Sequence, residues 1–193
     1  MAAKSTLLNM ALCLTAVCLI CSAVLGGVYG LTKAPIDAAA QKALTESISA
    51  VLPEGGELSQ SNASELEGVD EYYVLSENGS PKAYAVKSST NGFGGTLTIM
   101  VGVLADGSVY NTSVLAHSET PGLGAKCAET DSGFRTQFQG FNGRLAVKKD
   151  GGDIDAITAS TITSRAFTKA VEQAVKLVNS MPTTNAEEET SNE

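Results

Sequence analysis

The sequence predicts an α+β protein, with a single domain of antiparallel sheet and flanking helices preceded by one N-terminal transmembrane helix. Three observations carry this prediction. An uncharged apolar run opens the chain, alternating segments joined by tight turns fill its middle, and an amphipathic segment follows them. A chain of 193 residues has room for one ordinary domain and its appendages.

The apolar run extends from Leu7 to Leu31, 25 residues without a charge. At about 1.5 Å per residue it exceeds the roughly 30 Å hydrocarbon core of a bilayer, so it can span with some tilt. A cleaved signal peptide is the competing interpretation, but its apolar stretch would usually be about 7–15 residues. Lys4 is the only charge before the run, which favours a cytoplasmic N-terminus over residues 1–6. The prediction is a single-pass protein of the inner or cytoplasmic membrane, with an extracytoplasmic soluble domain.

Charge and cysteine content argue against several classes of function. Apart from Lys4 there are 12 basic and 21 acidic residues, an excess that disfavours nucleic acid or anionic lipid as a partner. Three of the four cysteines lie in the apolar run as small packing residues, leaving Cys127 alone in the rest. With a single histidine, His117, and no CxxC motif, the sequence predicts neither a metal site nor an internal disulfide. No GxSxG motif or orienting partner supports a nucleophile, so no catalytic residue is predicted.

A helical stalk and then a sheet are predicted after the anchor. Pro35 can begin a helix, and the apolar residues after it recur at helical spacing, so 32–54 is predicted to be the stalk. The polar segment 55–69 is predicted to be loop. Asn78-Gly79 and Asp106-Gly107 are turn pairs that need positive φ, each between apolar or β-branched segments. The predicted strands are 72–76, 82–88, 95–104, 108–116 and a short one at 144–148.

The last predicted element is an amphipathic helix that begins near Ser164. Phe167, Val171 and Ala174 belong to its apolar stripe. The polar, acidic segment 182–193 is predicted to be a disordered tail. The predicted domain therefore covers 55–181.

Two segments contain more functional residue types than a structural role requires. The first is His117-Ser-Glu-Thr-Pro-Gly-Leu-Gly124, directly after a predicted strand. Its proline stiffens the chain, and its glycines allow the backbone to approach a flat or anionic group. The same residues also suit a loop that only turns a corner, and residue types alone do not decide between the two.

The second segment, 153–164, leads into the last helix and has five hydroxyl residues between 158 and 164. Helix capping accounts for one or two of them, at Thr163 or Ser164. Hydroxyls before a helix N-terminus also suit a phosphate, because free amides and the helix dipole favour an anion there.

Both segments resemble motifs of the covalent FMN-binding domain family. The stretch Asp155-Ala-Ile-Thr158-Ala159-Ser160-Thr161 resembles its acceptor motif of Asp, two residues, Ser/Thr, Gly, Ala and Ser/Thr. The loop 117–124 is similar to the family's His-x-Glu-Thr-Pro-Gly-Leu-Gly, and Asn91-Gly-Phe-Gly-Gly95 is similar to its approach to the central strand. With one N-terminal span, the chain resembles the G subunit of Rnf-type ferredoxin–NAD oxidoreductases, which are ion-translocating electron transport complexes.

This resemblance implies FMN joined through its phosphate to Thr161, with Asp155 and Thr158 recognised by a flavin transferase that uses FAD and Mg²⁺. The motif's usual Gly-Ala is Ala159-Ser160 here, so Ser160 is a second candidate acceptor. The loop is expected to line the isoalloxazine ring. Its residues are Glu119, Thr120, Pro121, Gly122, Leu123 and Gly124.

The function implied by the resemblance is that of an electron carrier within a multi-subunit complex coupled to ion translocation, and not that of a stand-alone enzyme. Its partners would be the other membrane subunits, and because a single uncharged span forms no ion pathway, translocation would belong to them. Two alternatives are the C subunit of a sodium-translocating NADH–quinone reductase and another FMN-binding reductase. An anchored, non-redox binding module with a decayed flavin site is an alternative of a different class.

Overall fold

The computed structural model describes residues 7–62, 67–130, 132–141 and 143–181. It confirms the predicted fold class, with a five-stranded antiparallel sheet, flanking helices and a long apolar N-terminal helix. The predicted cytoplasmic terminus, 1–6, and the predicted acidic tail, 182–193, lie outside the described residues. The chain divides into two compact units, Met1–Ala43 and Leu44–Glu193.

The first helix, α1, extends from Leu7 to Val51. Every side chain of its apolar run is exposed, and the helix is long and apolar enough to cross a membrane. The expectation that a helix begins at Pro35 is wrong, because Pro35 lies inside α1. A proline removes only one backbone hydrogen bond from a helix, and here helical turns on both sides supply the others.

The five strands form one sheet in which each strand pairs with the next along the chain. Tight turns join several of them, and at the predicted turn Asn78-Gly79 the two residues have positive φ, 54° and 81°. The strands are β1 Glu57–Asn62, β2 Val69–Glu77, β3 Ser80–Asn91, β4 Thr96–Leu104 and β5 Val109–Ala116.

Two local predictions in the polar parts of the chain are wrong. Strand β1 lies in 55–69, which was predicted to be loop. As an edge strand it pairs with β2 from Glu57↔Ser76 to Asn62↔Glu71, and backbone pairing of this kind needs no apolar alternation. The strand predicted at 144–148 is only an isolated parallel bridge between Val147 and Ile154, because the 3₁₀ turn Lys148–Asp150 ends the extended backbone after Val147.

Helices cover the sheet on both faces. On one face α3, Thr161–Ser180, begins three residues before the predicted Ser164 and packs its apolar stripe on the sheet. Phe167 of α3 makes edge-on contacts with Phe134, of the short helix α2 (Gly133–Thr136), at a centroid distance of 5.2 Å. On the other face the C-terminal end of α1 packs on β2, β3 and β4, forming a second core. Its members are Ile48, Val51, Leu52, Tyr73, Leu75, Ala83, Ala85 and Met100.

Gly102 of β4 provides a test of this second core. A Cβ atom at Gly102 would overlap the carbonyl oxygen of Val51, a backbone atom that cannot rotate away. We expect Gly102→Ala to lower the free energy of unfolding by about 2 kcal/mol, as overpacking does elsewhere. Urea unfolding of the detergent-solubilised chain measures it.

The matched control is Gly133→Ala, because a Cβ atom at Gly133 meets no atom within 4 Å. It should shift stability by no more than about 0.5 kcal/mol. Equal stability of the Gly102→Ala and Gly133→Ala variants would contradict the packing of α1 against β4.

Candidate functional site

A cavity of about 370 Å³ lies where α3 begins, and the two segments singled out from the sequence both reach it. Six of the ten predicted site residues line this cavity. The loop contributes Glu119, Thr120, Leu123 and Gly124, and the hydroxyl-rich segment contributes Ser160 and Thr161.

The sheet register explains why the glycine-rich turn before β4 also reaches this place. Thr98 near the start of β4 pairs with Ala116 at the end of β5, so the segments 91–95 and 117–124 leave the same end of the sheet side by side. Phe93 of the turn consequently joins the cavity wall.

The other four predicted site residues do not line the cavity. Pro121 and Gly122 are exposed in the loop, where Gly122 has φ of 75°. Thr158 is exposed. Asp155 is also exposed, and its carboxylate forms an ion pair with the Lys148 ammonium group at 2.7 Å.

The rim of the cavity is apolar and open to solvent. Phe93 is 70% exposed, Ile162 51% and Leu123 43%, so three large apolar side chains stand together around one opening. We call these three side chains the apolar rim. Exposed apolar side chains grouped around a concavity mark a binding surface.

The buried carboxylate of Glu119 joins the three segments of the site. One oxygen accepts a hydrogen bond from the Phe93 amide at 2.8 Å, and the other accepts one from the Thr163 hydroxyl at 2.8 Å. Glu119 is 6% exposed, so these donors replace water around a buried charge. His117 supports the same loop by accepting a hydrogen bond from the Glu119 amide at 3.2 Å.

Two glycines leave room for this carboxylate. A Cβ atom on Gly92 would overlap one carboxylate oxygen of Glu119. A Cβ atom on Gly124 would lie 2.5 Å from the other oxygen and 2.7 Å from the Thr163 hydroxyl. The groups that come close to the Gly124 backbone are therefore the side chains of Glu119 and Thr163.

Thr161 is the first residue of α3 and is half-buried. Its hydroxyl oxygen lies 3.3 Å from the ammonium nitrogen of Lys149, which donates a hydrogen bond to it. Ser160, at the N-cap position, is 8% exposed and makes no side-chain capping bond. Ser164 instead ties the helix to the preceding turn, since its hydroxyl accepts from the Ile157 amide and donates to the Ser160 carbonyl, each at 2.9 Å.

Cys127 is a packing residue beside this site. Its side chain is buried, and burial together with the charge of Glu119 raises the pKa of the thiol to about 11. At neutral pH the thiol is protonated, and a protonated thiol is a poor nucleophile.

Comparison with known proteins identifies the domain that carries this site. Residues 92–176 match the FMN-binding domain family. The G subunit of the ion-translocating oxidoreductase complex from Vibrio atlanticus is 41% identical over 114 residues, 55% of this chain and 54% of that protein. The chain thus spans about half the length of that relative.

A second relative matches almost end to end. The G subunit of the proton-translocating ferredoxin:NAD(+) oxidoreductase complex from Clostridium ljungdahlii is 35% identical over 169 residues, 86% of this chain and 88% of that protein. The chain belongs to this G-subunit family. With its apolar first helix, this membership makes the chain a membrane protein that carries an FMN-binding domain.

A solved structure gives a more distant likeness. The C subunit of Na(+)-translocating NADH-quinone reductase from Parabacteroides distasonis aligns with a TM-score of 0.47 and 24% identity over 65% of this chain and 79% of that one. The sequence relatives decide between the two families, and they favour the G subunit.

The structure adds four residues to the candidate site of this G-subunit family member that the sequence motifs had not indicated. Phe93 lies within Asn91-Gly-Phe-Gly-Gly95, and Ile162 and Thr163 follow Thr161 directly, so proximity to the motifs is the signal that indicates them. Lys149 is twelve positions from Thr161, and no pattern in the sequence connects the two.

The alanine that replaces glycine in the family's acceptor motif has a strained backbone. Ala159 occupies the position of the motif's glycine and has φ of 61°, in the left-handed region. This region costs a residue with a Cβ atom about 1–2 kcal/mol. Ala159 therefore adopts the conformation that a glycine would adopt without strain.

We expect Ala159→Gly to stabilise the domain by about 0.5–1 kcal/mol. Relief of the strain exceeds the extra freedom that glycine gives the unfolded chain. The measurement is the shift of the urea midpoint at constant slope.

Ala128→Gly is the control, because Ala128 has φ of −91° in the right-handed region. Here glycine should destabilise by about 0.5–1 kcal/mol. A loss of stability in both variants would show that Ala159 is not strained.

Proposed function

We propose that this chain is the electron-carrying G subunit of an ion-translocating ferredoxin–NAD oxidoreductase complex, with FMN attached covalently through its phosphate to Thr161. The observation that carries the proposal is the position of Thr161, on the wall of the cavity and at the first residue of α3. The G-subunit relatives and the FMN-binding domain match support it.

The residues around the cavity suit the two ends of FMN. The apolar rim can cover a flat aromatic ring, which makes the isoalloxazine the group to expect beside Phe93, Leu123 and Ile162. The helix N-terminus suits the phosphate, because its first amides have no helical acceptors. Glu119, Thr120 and Gly124 belong to the wall beside the ring, and Pro121 and Gly122 shape the loop that holds them.

When bound, FMN supplies one- and two-electron transfer. The described residues at the cavity include no activated nucleophile, and the thiol of nearby Cys127 is protonated. We therefore propose an electron carrier that exchanges electrons with other membrane subunits of the complex, rather than a stand-alone enzyme. Ion translocation would belong to those partners, since one span without charged residues offers no ion pathway.

Maturation would require a flavin transferase. The residues proposed for its recognition, Asp155 and Thr158, are both exposed just before the acceptor. Ser160 carries the alternative acceptor hydroxyl, but the residue is buried, whereas Thr161 is partly accessible. This difference favours Thr161 as the attachment site.

The domain is proposed to lie on the extracytoplasmic side of the cell membrane. Lys4 before the apolar run supports this orientation. A tether also suits this side, because a carrier that loses FMN outside the membrane has no cytoplasmic pool to replace it. The proposed segments are a cytoplasmic N-terminus (1–6), an anchor (7–31), a stalk (32–54), the FMN-binding domain (55–181) and a tail (182–193).

The alternatives make different predictions. Assignment to the C subunit of the sodium-translocating reductase is disfavoured because the sequence relatives are named as G subunits. A non-redox binding module would be colourless after purification, whereas the proposed flavoprotein would be yellow.

Thr161→Ala is expected to abolish covalent flavin without unfolding the domain, because it removes the acceptor oxygen from a half-buried helix start. The measurement is flavin fluorescence of the denatured protein on a gel after coexpression with a flavin transferase. Ser160→Ala keeps the Thr161 hydroxyl, so after a reaction run to completion it should still show a fluorescent band. A band that persists in Thr161→Ala and disappears in Ser160→Ala would move the attachment to Ser160.

Reporter fusions test the proposed orientation. A fusion after residue 181 should behave as extracytoplasmic, and one placed before Lys4 should behave as cytoplasmic, because the single span separates them. Phosphatase and fluorescent-protein reporters distinguish the two compartments. Cytoplasmic activity of the fusion after residue 181 would reverse the topology.

A further inference from the structure

We infer that Lys149, the hydroxyl of Ser160 and the first turn of α3 form an anion subsite that holds the phosphate esterified to Thr161 and promotes its attachment. This inference rests on the function proposed above and names the residues that position the phosphate. Lys149 is a positioning residue here, since it acts on the acceptor oxygen without forming a covalent bond.

The local charges single out Lys149. Two neighbouring cations are already neutralised, because Lys148 pairs with Asp155 at 2.7 Å and Arg165 pairs with Asp150 at 2.6 Å. Within the described part of the chain, Lys149 makes no ion pair, and its ammonium group instead donates to the Thr161 hydroxyl at 3.3 Å. An ammonium group 3.3 Å from the acceptor oxygen is within reach of a phosphate bonded to that oxygen.

Ser160 is an independent indication of a ligand. The residue is 8% exposed, lines the cavity and makes no capping bond to α3, although serine at this position usually caps. Among the described residues this hydroxyl has no hydrogen-bond partner, and since Ser160 lines the cavity it can donate to a group held there. A phosphate oxygen is such an acceptor.

The helix supplies further donors. The first helical bond of α3 runs from the Ser164 amide to the Ser160 carbonyl at 3.0 Å. The three preceding amides, of residues 161–163, therefore have no helical acceptor. At the N-terminus of a 20-residue helix they favour an anion, and Lys149 adds a full positive charge.

The fold fixes Lys149 beside the helix. It lies in a 3₁₀ turn, Lys148–Asp150, that Gly151 closes with φ of 79°. The turn is anchored by a hydrogen bond from the Lys148 amide to the Ile154 carbonyl at 2.8 Å. Arg165 of α3 holds the other end of the turn through Asp150. These contacts set the backbone position of Lys149, and its exposed side chain extends from there to the Thr161 hydroxyl.

Attachment is a phosphoryl transfer from FAD, supplied with the transferase. The Thr161 oxygen forms a bond to the flavin-side phosphorus while the bond from that phosphorus to the AMP oxygen breaks. AMP leaves, and the hydroxyl proton passes to a base of the transferase or to water. No electrons are exchanged. The Lys149 ammonium group stabilises negative charge on the attacking oxygen and on the phosphate being transferred.

The first experiment measures flavin attachment to the full chain by a flavin transferase with limiting FAD. Lys149→Met should slow attachment about tenfold, the size expected for loss of one charge-assisted hydrogen bond. Lys149→Arg should remain within about twofold of wild type, because it keeps the charge. Lys169→Met, a charge-matched change at an exposed position of α3, should also remain within about twofold.

The second experiment measures how much the phosphate group contributes to flavin binding. The Thr161→Ala chain, which cannot form the ester, is titrated with FMN and with riboflavin, which lacks the phosphate. Adding Lys149→Met should weaken FMN binding about tenfold and leave riboflavin binding unchanged. Thermal unfolding confirms that each variant is folded, and a Lys149→Met chain that does not fold is replaced by Lys149→Gln.

The outcomes separate the two proposals. Absence of covalent flavin in the wild-type chain would overturn the proposed function and the subsite with it. Suppose that the wild-type chain is flavinylated normally and that Lys149→Met is flavinylated at the same rate. If Lys149→Met also leaves the ratio of FMN affinity to riboflavin affinity unchanged, the subsite alone is overturned. A tenfold loss that Lys149→Arg restores and Lys169→Met does not reproduce supports the subsite.

Discussion

The carboxylate of Glu119 is the interaction on which the site depends. It accepts hydrogen bonds from the Phe93 amide and the Thr163 hydroxyl, so one buried group connects the turn before β4, the loop after β5 and the first turn of α3. The buried Thr163 hydroxyl, left without this acceptor, would cost about 1–3 kcal/mol. Because the three segments are far apart in sequence, this carboxylate joins parts of the cavity wall that local structure alone would not bring together.

The sheet brings these segments to one place and the two cores hold it rigid. Its antiparallel register places the start of β4 beside the end of β5, and α3 packs across one face with its N-terminus at the same end. The opposite face is closed by the end of α1, which reaches the backbone of β4 at Gly102. The proposed covalent FMN would gain from such a frame, since tethering would fix its concentration and packing its orientation.

The two residues before Thr161 combine backbone strain, at Ala159, with a side-chain hydroxyl that makes no capping bond, at Ser160. Ala159 stands where the family's motif has glycine, and its backbone is in the left-handed region. The buried residue Ser160 makes no capping bond. In many proteins a strained or unsatisfied group is tolerated where a ligand uses it. Together with Lys149 beside Thr161, these features mark the start of α3 as a place prepared for an anion.

The sequence by itself determined the apolar span, the sheet turns at Asn78-Gly79, the amphipathic last helix and the two motifs that meet at the cavity. These follow from periodicity, turn chemistry and residue spacing, which are local properties. Only the tertiary structure brought Lys149 to Thr161, placed Phe93 and Ile162 on one rim and filled the space at Gly124 with Glu119. It also formed β1 from a polar segment, through pairing with β2. These contacts join residues distant in sequence, and such contacts are fixed by register and packing, which no local pattern encodes.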